Sequence, residues 1–169
     1  MKNINIVLCM LTMLVVTHTQ AQQFTKAEIV ATGLTCSMCS NAINKQLKSI
    51  PSVASVDIDL NNNLFIVTLT PNNTLTPADL KDKVEKAGFF VGSFFAYLNL
   101  GNLSITENKQ VDAYTFIDAK PQTITGTVKV QVINKGYVTA KAYKKLQQEY
   151  NKNKRYTKDN NKSLYVKLI

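Results

Sequence analysis

The stretch GLTCSMC, residues 33–39, places Cys36 and Cys39 two residues apart, just ahead of a segment with helical spacing. Thiols in this arrangement support three chemistries. As thiolates they can converge on one soft cation at about 2.3 Å per bond. As a dithiol they can exchange with disulfides, and when oxidised they staple a loop. A helix N-terminus favours the thiolate, because its free N–H groups and dipole stabilise negative charge. Two sulfurs and no harder ligand suit a low-coordinate soft ion. Cu(I) leads, and Hg(II) or Ag(I) fits the same pair. Mg and Ca do not, since they want many oxygens.

The N-terminus narrows the inventory. Residues 1–21 begin with Lys2, run apolar from Ile4 to Val16, and carry small residues at Thr19 and Ala21. This pattern predicts a signal peptide cleaved after Ala21, and so an exported protein, periplasmic or secreted. The competing reading, an uncleaved membrane anchor, meets an apolar core that is short for a span. Cleavage removes Cys9 and His18, leaving a mature chain with two cysteines and no histidine. All thiol or soft-metal chemistry then runs through Cys36 and Cys39. A multi-disulfide scaffold is excluded, and a four-ligand zinc site lacks partners. No serine or carboxylate constellation stands beside the pair, so enzyme activity is not expected.

The elements that must position the pair are readable between residues 25 and 97. AEIVATG (27–33) reads as a short strand ending in a glycine turn. Ala42, Ile43, Leu47 and Ile50 then fall at helical spacing, stopped by Pro51. SVASVDIDL alternates, with Ala54, Val56, Ile58 and Leu60 on one face and Ser55, Asp57 and Asp59 facing solvent. The asparagines at 61–63 predict a turn, and LFIVTL a return strand. Thr76 predicts an N-cap with Pro77 at the first helical position, Leu80, Val84 and Ala87 a buried stripe, and Gly88 the helix end. FFVGSFFAYL completes the order strand, helix, strand, strand, helix, strand. That is a ferredoxin-like split βαβ sandwich of class α+β, an antiparallel sheet with both helices on one face.

With the loop at that place, GLTCSMC resembles the Gly-Met-Thr-Cys-x-x-Cys loop of heavy-metal-associated (HMA) domains, found in copper chaperones, copper-pumping ATPases and small exported mercury-binding proteins. VEKAGF, residues 84–89, is similar to that family's helix-end segment. The resemblance covers residues 27 to about 97. It implies metal held by Cys36 and Cys39, with transfer by ligand exchange to a partner's cysteine pair, in a monomer or metal-bridged dimer. Gly33, Thr35 and Phe89 match supporting positions of the loop. Leu34 replaces the usual methionine and is expected to pack inward in its stead. Met38, between the cysteines, is expected to face solvent, with a thioether third ligand as the lesser alternative.

Residues 98–169 carry no recognisable motif. They predict strands at AYTFID, TITGTVKVQVI and SLYVKLI, and a helix with Ala140, Tyr143, Leu146 and Tyr150 on one side. This is a small β-rich C-terminal unit or an elaboration of the first domain. Charge separates the two parts. Residues 24–97 balance six lysines against six acids, whereas 98–169 hold thirteen Lys or Arg against five acids. A basic unit attracts an acidic partner or an anionic membrane surface, though an ordinary solvated face is the simpler reading. Nucleic acid is not an expected partner of an exported chain. The leading expectation is therefore soft-metal binding for transport or sequestration. The alternative is a thiol redox or interaction module docked through its basic C-terminal unit.

Overall fold

The computed structural model describes residues 23–35, 37–153 and 163–169. The expected signal segment, Cys36 and most of the basic stretch at 152–162 lie outside the described residues. Strand β1 (Gln23–Thr32) leads to helix α1 (Ser37–Lys48), then to β2 (Val53–Asp59) and β3 (Leu64–Leu69). Helix α2 (Pro77–Lys86) precedes β4 (Phe90–Ile105). These four strands pair antiparallel in the order β2-β3-β1-β4, which is the expected split βαβ arrangement.

Local chemistry explains the elements. Ile43 and Leu47, one turn apart on α1, are fully buried, and Lys45 and Lys48 complement the negative end of its dipole. At the start of α2 the Asp79 carboxylate accepts from the Thr76 N–H at 2.8 Å and from its hydroxyl at 2.7 Å. Leu80 and Val84 are fully buried, and Gly88 follows with φ +89°. Asn63 takes the left-handed conformation, φ 51°, in the β2–β3 turn.

The strict alternation expected along 52–60 holds only in part. The register shifts between Val53 and Ser55, which leaves Ala54 exposed, and Leu60 lies past the strand end and is also exposed. Asp59 is not an idle solvent-facing carboxylate. It accepts from the backbone N–H groups of Asn61 and Asn62 and from the Asn62 side chain, fixing the turn.

The chain beyond residue 98 extends the same sheet. Strands β5 (Gln110–Val111), β6 (Tyr114–Phe116), β7 (Gln122–Val132) and β8 (Leu164–Leu168) complete the order β2-β3-β1-β4-β7-β8-β6-β5. Sixteen residues long, β4 carries β7 antiparallel from Phe94↔Val132 to Ile105↔Gln122. Phe94, Ala96, Val130, Val132, Phe116 and Val166 have no exposed surface and belong to the core beneath α1 and α2. Tyr165, the neighbour of Val166, points the other way. With Ile117 and Ile133 it forms a second cluster under Leu146 and Tyr150 of helix α3 (Ala140–Asn153), so α3 covers the opposite face. Of its expected stripe, Tyr143, Leu146 and Tyr150 are at least half-buried and Ala140 is exposed. The Tyr150 hydroxyl donates to Asp118 at 2.6 Å, and Lys167 pairs with the same carboxylate at 2.6 Å.

A polar clamp crosses β1, β4 and β7 on the face away from α1 and α2. Glu28 of β1 accepts from Lys129 of β7 at 2.6 Å and from the Tyr97 hydroxyl of β4 at 2.6 Å, with Lys26 at 3.6 Å. Partial burial pushes the Glu28 carboxyl up, but the bonds from Lys129 and Tyr97 outweigh it and hold the group below its ordinary value of 4.5. A folded-state value below the unfolded one stabilises at pH above 4.5 and is lost as pH falls through the folded value. Glu28→Gln is therefore expected to lower stability by roughly 1 kcal/mol near neutrality. Urea midpoints measured across pH should show wild type and variant converging on the acid side of 4.5.

Candidate metal site

The loop between β1 and α1 is held at both ends. Thr32 closes β1 opposite Phe90 of β4, and its hydroxyl donates to the Phe90 carbonyl at 3.2 Å. The Ala31 N–H donates to the Asn63 carbonyl at 3.0 Å, tying the β2–β3 turn to the same end of the sheet. Gly33 then turns the chain with φ +87°, a conformation that strains an L side chain. A Cβ on Gly33 would lie 3.9 Å from the Phe89 ring, so Phe89 stands beside the start of the loop.

Leu34 is half-buried against the core, the inward packing expected of the residue in the methionine position. Thr35 is exposed, and Cys36 is among the undescribed residues. Helix α1 opens with Ser37, and Met38 is 81% exposed, facing solvent as expected. Cys39 is half-buried in the first turn, and the next residue, Ser40, is buried. No acid occupies that first turn, so the positive end of the helix dipole is not offset there. Among the described residues no three His, Cys, Asp or Glu side chains gather in one place. The donor types at the loop are the soft sulfurs of the cysteine pair and the thioether of Met38, which suit soft ions over hard ones.

Other residues stand at this end that the sequence did not mark as part of the site. Leu60 and Asn63 border a depression of about 250 Å³ with Leu34, Thr35, Ser37 and Ser40. Phe90, 69% exposed, lies on the β4 side. Period-two alternation assigned Leu60 to the core, and only the end of β2 at Asp59 turns it outward. For Phe90, the double phenylalanine gave no rule for which ring faces in.

The order of elements is that of a ferredoxin-like domain, with Cys39 in the opening turn of its first helix. Residues 29–90 match the heavy-metal-associated domain model. The copper-transporting ATPase of Saccharomyces cerevisiae is 40% identical over 57 residues, 34% of this chain; the match spans only 6% of the ATPase. The yeast copper transporter domain Ccc2a, solved in apo and Cu(I)-loaded states, is 35% identical over 38% of this chain and 88% of that one, TM-score 0.35. The solved Atx1–Cu(I)–Ccc2a complex matches at 34% identity over 40% of this chain and 90% of that one, TM-score 0.36.

Backbone conformation and exposure give separate expectations at the loop. Gly33→Ala should destabilise by about 1–2 kcal/mol through backbone strain alone, since no neighbour crowds the added methyl. Met38→Ala should change stability by less than about 0.5 kcal/mol. Denaturant midpoints of the two variants measure both, and a larger loss for Met38→Ala would contradict its exposure.

Proposed function

We propose that this protein is an exported soft-metal carrier that binds Cu(I) through Cys36 and Cys39, for transport or sequestration, and passes it on by ligand exchange. The observation that carries the reading is the place of the pair: the first loop of a heavy-metal-associated domain, with Cys39 in the opening turn of α1. Solved relatives support the choice of metal, since the Ccc2a domain exists in a Cu(I)-loaded state and in a complex with Atx1 and Cu(I).

Each residue of the loop has a task in this mechanism. Gly33 reverses the chain so that the two sulfurs approach one ion, and Leu34 anchors the loop to the core. The helix end stabilises the negative charge of the thiolates. Transfer proceeds by two exchanges, in each of which a thiolate of the partner's pair adds to the ion and one of the carrier's thiolates leaves; the thiolate count at the metal is restored each time and no electron moves. The donor cysteines must be reduced for this. In an oxidising compartment the pair is exposed to disulfide formation, so loading has to precede oxidation or follow reduction.

The reduced mature protein is expected to retain Cu(I) against a competing chelator. Cys36→Ser combined with Cys39→Ser should weaken binding by more than roughly 100-fold, since losses confined to the outer shell already cost 10–100-fold. Equal, weak binding by the two proteins overturns the reading.

A further inference from the structure

The segment after β7 reaches the same end of the sheet as the cysteine loop. Tyr137 stands edge-on to Phe94, ring centroids 5.5 Å apart, and Gly136 lies against the stem of Lys81. Thr139 then comes beside Gly92, where α3 is about to begin. Val138, Thr139 and Tyr143 thereby face Thr32, Phe90 and Val91 across a mainly apolar cleft of about 430 Å³. Thr32 immediately precedes Gly33, so the cleft opens next to the loop of Cys36 and Cys39.

Charge and apolar surface meet there. Lys135 lies at the lip of the cleft. Lys141 follows the cleft residue Ala140, and Lys144 lies one helical turn beyond it. All three lysines are exposed, and among the described residues none forms an ion pair. Glu85, the acid at the lip, is engaged by Lys81 at 2.8 Å. Phe90 and Met38 add exposed apolar surface on either side of the loop.

We infer that the C-terminal segment supplies the second half of a docking face for a protein partner, and that the partner's matching surface is acidic. The inference deepens the metal-transfer reading and rests on it. Lys135, Lys141 and Lys144 steer and orient an acidic surface, while the cleft beside Phe90 accepts an apolar side chain from it. A protein fits better than a bilayer, because a concave cleft needs a side chain to enter it and metal transfer needs a cysteine to reach the loop. Domain and tail thus act on one partner: the first holds the ion, the second selects who receives it.

Two synthetic peptides test this, each with one Cys-x-x-Cys pair, their flanking positions glutamate in one and glutamine in the other. The full, reduced, Cu(I)-loaded chain should pass copper to the glutamate peptide about 10-fold faster at about 20 mM salt, the gap closing near 0.5 M. Lys135→Gln, Lys141→Gln and Lys144→Gln together should erase that preference with Cu(I) retention unchanged, whereas Lys109→Gln with Lys120→Gln should keep it. Serine versions of both peptides, followed by fluorescence anisotropy, report docking without metal. Should the chain fail to hold Cu(I), a glutamate preference in that assay still supports the docking face, and its absence overturns it. Equal rates for the two peptides, or a preference that survives the triple variant, also overturn it. So does lysine-dependent sedimentation with phosphatidylglycerol vesicles in a chain that shows no peptide preference.

Discussion

The double pairing of β4 is the constraint on which the rest of this structure depends. A sheet edge leaves a row of backbone donors and acceptors that must be paired, covered or exposed to water. Here β4 gives one edge to β1 and the other to β7, so the domain with the cysteine loop and the chain after it share one strand. The side chains follow the backbone. Phe94 and Ala96 of β4 lie in the same buried layer as Val132 and Val130, and Tyr137 completes the packing on Phe94. The first residues of β4 also frame the loop, since Thr32 is fixed opposite Phe90. A change in how β7 seats on β4 is therefore transmitted to the strand that flanks the cysteines.

Electrostatics repeats this coupling on the other face. Glu28 sits in a strand of the charge-balanced part of the chain, yet its ion pair at 2.6 Å is with Lys129 of the basic part. Tyr97, on the shared strand, bonds the same carboxylate and lies under the ammonium groups of both Lys26 and Lys129. One of the tail's positive charges is thus consumed in holding the two parts together. Lys141, Lys144 and Lys145 on α3, by contrast, stay on the surface.

Features set by neighbours in sequence were legible before any coordinates. The Thr76–Asp79 cap, the left-handed turn at Asn63, the buried pair Ile43 and Leu47, and the place of Cys39 in the opening turn of α1 all follow from spacings of a few residues. Features decided by distant chain were not. The bulge that exposes Ala54 depends on its pairing with β3, and the outward Leu60 depends on where that pairing stops. Nothing in FFVGSFFAYL signals that its strand runs on to Ile105, because that length is set by β7, some twenty residues further along. The approach of Thr139 and Tyr143 to Thr32 has no local signature either, so the surroundings of the loop could not be read.

The placement of β8 governs the order in which this molecule can be assembled. Strand β6 is paired on one side by the two-residue β5 and on the other by β8, in parallel, while β7 reaches β8 directly. Among the described residues the β5–β6 hairpin thus joins the sheet only through Leu164–Leu168, some fifty residues later in the chain. A ribosome delivers residues in sequence, so the β1–β4 domain can close early. The hairpin must then wait, tethered beside a finished sheet, until the last strand slides in between it and β7.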